Sequence, residues 1–145
     1  MTSPPALAAH AVLAVLAALL AGGCSTDYEG GDKDEFLSRG NAICEASGAT
    51  VKPALDELVE GRLPTNSELR SFAGDVALPR LQERVDQLRQ LDPPSADRDE
   101  VDDIIRAYQK GIDRISADPR QLAEADPLLE AYAKAGAYGL TACAS

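Results

Sequence analysis

Between Val101 and Ile115 the apolar residues fall at Val101, Ile104, Ile105, Tyr108, Ile112 and Ile115. Steps of three and four gather these positions on one side of an α-helix and would scatter them over both faces of a strand. The spacing therefore predicts a helix that buries one side. Strand alternation is absent from the rest of the chain. Aromatic residues make up 4% of the sequence and there is no Trp, so Leu, Ala, Ile and Val must fill the core, which suits helix packing better than a β-sandwich.

Three further helical segments can be drawn. The first is expected to begin near Asp32 or Asp34, where acidic side chains suit a helix N-terminus. Phe36, Ile43, Val51, Leu55 and Leu58 share a face there, with Gly40 and Ser47 as small fillers. Pro53 is expected to kink or divide this helix, and Gly61 and Pro64 to end it. The second opens on "TNSE", Thr65 to Glu68, which has capping-box spacing. It continues through Leu69, Phe72, Val76, Leu81, Val85 and Leu88, with a kink expected at Pro79 and a stop at "LDPPS", Leu91 to Ser95. The third starts around Asp97 and carries the stripe described above. "ADP" then occurs at Ala117 to Pro119 and at Ala125 to Pro127, each placing Asp at an N-cap and Pro at N1. These predict a short helical turn and a final helix from about Pro127 to Ala142, with Leu129, Tyr132, Gly136, Leu140 and Cys143 on its apolar side. The expected architecture is all-α: an antiparallel up-down four-helix bundle with helices kinked at prolines. A looser array of broken helices is the alternative.

The formal net charge is −10, and no Asp, Glu, Lys or Arg precedes Cys24. A body this acidic is a poor partner for nucleic acid, whose affinity comes from cationic contacts to phosphate, and acidic lipid head groups repel it. The one histidine is His10, inside an apolar N-terminal run. Without it, Ser-His-Asp and Cys-His catalysis, histidine-built zinc sites and Glu-x-x-His di-iron sites are not available. No cofactor, metal site or catalytic residue is expected.

That run, "ALAAHAVLAVLAALLA" from Ala6 to Ala21, is short for a membrane span, which takes about 20 residues. Its length suits the apolar core of a signal peptide, and Gly22 and Gly23 follow it. A transmembrane anchor or an apolar core helix is the structural alternative. "LLAGGCS" resembles a bacterial lipobox, in which an aliphatic residue and small residues precede a cysteine. The resemblance implies that the Cys24 thiol receives a diacylglyceryl group and that cleavage leaves Cys24 as the mature N-terminus. Residues 1–23 then read as signal peptide, 24–33 as lipidated cysteine and flexible tether, and 34–145 as the helical domain. A single acyl chain holds weakly and two hold firmly, at roughly 0.8 kcal/mol per buried methylene. The expected place is the outer face of the cell membrane, through lipid on Cys24; otherwise the protein is secreted.

"NAIC" at Asn41 to Cys44, "LDPP" at Leu91 to Pro94 and "AYGLTAC" at Ala137 to Cys143 resemble recurring pieces of small secreted or lipid-anchored helical proteins of actinobacteria. That resemblance implies a helical bundle with a paired set of cysteines and supplies no catalytic residue. Counting agrees. Of three cysteines, lipidation would use Cys24, and the two left in an oxidising compartment favour a Cys44–Cys143 disulfide.

The acidic groups Asp97, Asp99, Glu100, Asp102 and Asp103, and Asp27, Glu29, Asp32 and Asp34, lack the EF-hand spacing and its closing Glu. They read as an acidic first helical turn and a solvated tether. Tyr108, Tyr132 and Tyr138 fit either a ligand groove or rim packing. The expectation is a non-enzymatic, lipid-anchored envelope protein acting through a protein or envelope partner. The alternative is a carrier of a small ligand or lipid with a cavity between helices.

Overall fold

A computed structural model describes residues 30–145; the signal-peptide and Cys24 expectations lie outside them. The described residues are helical, with no strand among them: α1 (Lys33–Val59), α2 (Asn66–Phe72), α3 (Leu78–Arg89), α4 (Arg98–Ala117), α5 (Gln121–Glu124) and α6 (Leu129–Tyr138). A π-helical segment, Ala73–Ala77, joins α2 to α3, and 3-10 turns at Ser95–Asp97 and Thr141–Cys143 precede α4 and end the chain.

The local chemistry sets most of the boundaries. Asp32 caps α1, its carboxylate accepting from the Glu35 amide at 2.9 Å. Thr65 and Glu68 form the reciprocal capping box that the sequence announces at α2, and Arg62 pairs with the same Glu68. Pro53 does not divide α1, which runs unbroken past it. Pro79 is accommodated instead by the π segment. The Leu78 amide reaches back to the Ala73 carbonyl, five residues away, and Pro79 then sits in the first turn of α3, where no donor is needed.

The final helix departs from expectation. It ends at Tyr138 because Gly139 turns left-handed, at φ 108°, a conformation that favours glycine. Leu140 and Cys143 therefore leave the helix, and its buried face is Leu128, Ala131, Ala135 and Tyr138, while Leu129 is exposed. Gly30 to Lys33, expected as the last residues of a tether, are held against the domain. The Gly31 amide donates to Pro93 O at 3.2 Å, Gly30 forms a β-bridge with Pro94, and Lys33 already belongs to α1.

The core lies where α1, α3, α4 and α6 meet, filled by Phe36, Cys44, Leu81, Val85, Leu88, Ile104, Tyr108, Ile112, Ile115, Ala131, Ala135 and Leu140. Tyr108, Val85, Ile115 and both cysteines are fully buried. Cys44 and Cys143 are joined in a disulfide, their Cα atoms 5.0 Å apart. The bond fastens the chain's end to the middle of α1, and the C-terminal residue continues alongside it: the Lys52 ammonium donates to Ser145 Oγ at 2.8 Å.

Candidate functional site

α3 carries one residue that its surroundings do not explain. Leu81, Val85 and Leu88 put one side of the helix into the core, and Arg84 falls on that same side, three residues after Leu81 and four before Leu88. It is only 3% exposed. Its guanidinium carbon lies 5.7 Å from the centre of the Tyr108 ring, a cation–π approach. Its Nε and Nη1 atoms are buried and have no hydrogen-bond partner among the described residues. Arginine stays protonated in proteins, so this is a buried positive charge.

A recess of about 130 Å³ opens beside it between α1 and α3. α1 contributes Ile43, Ala46, Ser47 and Thr50, and α3 contributes Arg80, Glu83, Arg84 and Gln87. Successive turns of two facing helices supply both walls. Ser47, buried, donates its hydroxyl to the Arg80 carbonyl at 3.3 Å. On the rim, Arg80 pairs with Glu83 at 2.7 Å, and Gln87 donates to the other Glu83 oxygen at 3.3 Å. The rim pair is thus neutral in sum, and Arg84 carries the recess's uncompensated charge.

Behind Arg84 stand two tyrosines. Tyr108 donates its hydroxyl to the Cys143 carbonyl and meets the Tyr132 ring edge-on at 6.1 Å. Burial pushes the Tyr108 phenol up to about 12, against a smaller opposing pull from Arg84. Burial also raises Tyr132, again with Arg84 opposing. Both phenols are therefore neutral near pH 7, and neither serves as a counterion. The tyrosines act as packing rather than as the lining of a groove. Arg84 itself was not singled out from the sequence, although an arginine in phase with Leu81 and Leu88 is a signal that periodicity contains.

The acidic residues are dispersed. Asp97 binds Lys33 at 3.0 Å and accepts from Tyr138 at 2.9 Å; the Lys33 bond, then that of Tyr138, hold its carboxyl below the usual range. Asp103 pairs with Arg106. Among the described residues no group of His, Cys, Asp or Glu is gathered as a metal site would require. Comparison with known protein families, curated proteins and solved structures gives no match.

Proposed function

We propose that this chain is a non-enzymatic domain, held by lipid on Cys24 at the outer face of the cell membrane and acting through a protein or envelope partner. The observation that carries this reading is the polarity of the fold. The chain enters at Gly30 beside Pro94, six residues after Cys24. The exposed apolar residues Val59 and Leu63, the latter 88% exposed, lie at and beyond the other end of α1. That helix has 27 residues, about 40 Å at 1.5 Å each. An anchored domain would hold that tip away from the membrane, where a partner can reach it.

The helix order supports an antiparallel up-down arrangement of α1, α3, α4 and α6. The start of α1, the loop after α3, the start of α4 and the end of α6 meet in the Gly31–Pro93 and Lys33–Asp97–Tyr138 contacts. A carrier of a small ligand is the second reading. The recess at Arg84 favours it for a ligand of a few heavy atoms only, because its volume of about 130 Å³ lies below the roughly 300–1,000 Å³ of pockets that hold larger ligands.

Detergent partitioning and intact mass of the exported protein test the anchor. The wild type should carry diacylglyceryl mass and enter the detergent phase, and Cys24→Ser should do neither. A wild type without lipid mass overturns the anchored reading. Leu63→Asp should then release a partner cross-linked to the native protein on cells, and cross-linking that is indifferent to this change overturns the role of the tip.

A further inference from the structure

We propose that the recess between α1 and α3 binds a small monoanionic carboxylate, with the Arg84 guanidinium as its anchor. The argument begins with an imbalance. The sequence holds 24 acidic residues, yet among the described residues Arg84 has none as a partner, while the exposed Arg62, Arg80, Arg89, Arg106 and Arg120 each pair with a carboxylate. Leaving a buried guanidinium with unpartnered N–H groups is costly. A fold that retains one beside a recess has the means to offset that cost by taking up an anion.

Charge and size narrow the ligand. With Glu83 neutralised by Arg80, the recess balances a single negative charge, which matches a carboxylate rather than a phosphate dianion. A planar guanidinium engages a carboxylate through two parallel hydrogen bonds. Ile43 and Ala46 offer apolar surface for a short hydrocarbon, and Thr50 and Gln87 offer polar atoms at the mouth. The volume, about 130 Å³, is a little under the roughly 150 Å³ cavity that accepts benzene, so short acids such as acetate and butyrate suit it, and benzoate probes its upper limit. The proposal is independent of the lipid on Cys24, and the Cys24→Ser protein should bind equally well.

The test is titration of the exported, disulfide-bonded protein with sodium acetate, butyrate and benzoate, in an anion-poor buffer. Calorimetry and backbone amide NMR are the readouts, with chloride and inorganic phosphate as comparison arms. The expected result is saturable binding of at least one carboxylate, with shifts centred on residues 46–50 and 80–87. Ala46→Phe fills the recess and leaves Arg84 in place; Arg84→Met removes the charge. Each should weaken binding at least tenfold while circular dichroism shows the helices intact. No saturable binding, tighter binding of phosphate or chloride than of every carboxylate, or unchanged affinity in folded Ala46→Phe would each overturn the proposal.

Discussion

The hydroxyl of Tyr108, in the middle of α4, donates a hydrogen bond to the main-chain carbonyl of Cys143, 35 residues later. One bond thus couples the helix with the strongest apolar stripe to the disulfide that closes the domain. Tyr108→Phe keeps the ring and leaves the buried carbonyl without its donor, which typically costs about 1–3 kcal/mol. Urea unfolding should show that loss at an unchanged slope, and a neutral result would mean that the carbonyl finds another donor.

The same phenol makes stability sensitive to alkali. Its value in the fold is pushed up to about 12, against about 10 in an unfolded chain. Above pH 10 the unfolded state releases a proton that the native state still holds, so stability falls as pH rises from 10 towards 12 and is unaffected below. Burial raises Tyr132 and Tyr138 as well, in the same direction. Urea midpoints should be flat from pH 8 to 9 and decline above 10, with a shallower decline in Tyr108→Phe.

Helix existence was legible because the 3-4 stripe from Val101 to Ile115 and the Thr65–Glu68 capping box are local signals. The buried face of the last helix lies one residue from the one that the sequence predicts. Leu129 looked apolar enough to be buried, but the left-handed turn at Gly139 ends the helix early and Leu128 takes the inward place against Gly111. Pro79 predicts a disturbance of the helix, and periodicity alone does not announce that a π segment precedes it. Arg84 was the larger omission. A charged residue in phase with leucines reads as a solvated edge until the partner helix is in place, because only α1 turns that edge into a recess.

Two helical glycines should respond oppositely to alanine. A Cβ on Gly111 would come within 2.4 Å of a Leu128 methyl and 2.7 Å of the Pro127 carbonyl, so α6 would have to shift, at about 1–3 kcal/mol. Gly48 in α1 has nothing within 4 Å, and alanine there should add up to about 1 kcal/mol from helix propensity. Thermal unfolding of Gly111→Ala and Gly48→Ala should move the midpoint in opposite directions.

Cys44 and Cys143 are both fully buried and 99 residues apart. Reductant without denaturant should therefore leave the bond intact, as thiol titration would report. Replacing both cysteines by Ser or Ala removes a cross-link whose chain-entropy contribution is at most about 4–5 kcal/mol. For a domain of this size that is a large share of the total, and the reduced form should unfold at much lower urea. A midpoint within experimental error of the oxidised protein would mean that the tail docks on α1 without the bond.

Arg84→Met is the variant for which stability and binding should part. The methionine stem fills much of the same core space and carries no charge to desolvate. Loss of the Tyr108 cation–π contact would cost about 1 kcal/mol. Relief of a buried charge with Nε and Nη1 unpartnered runs the other way, and exchanging buried ionic groups for apolar ones has gained about 1–4 kcal/mol elsewhere. The expected balance in anion-poor buffer is a higher unfolding midpoint for Arg84→Met, and none for Arg84→Lys, which keeps the charge. Adding carboxylate should then raise the midpoint of the wild type but not of Arg84→Met, because only the wild type's native state binds it. A lower midpoint for Arg84→Met in every buffer would make the guanidinium part of the packing. A higher one, with the wild type alone rescued by carboxylate, is the pattern of a residue kept at some expense of stability for what it binds.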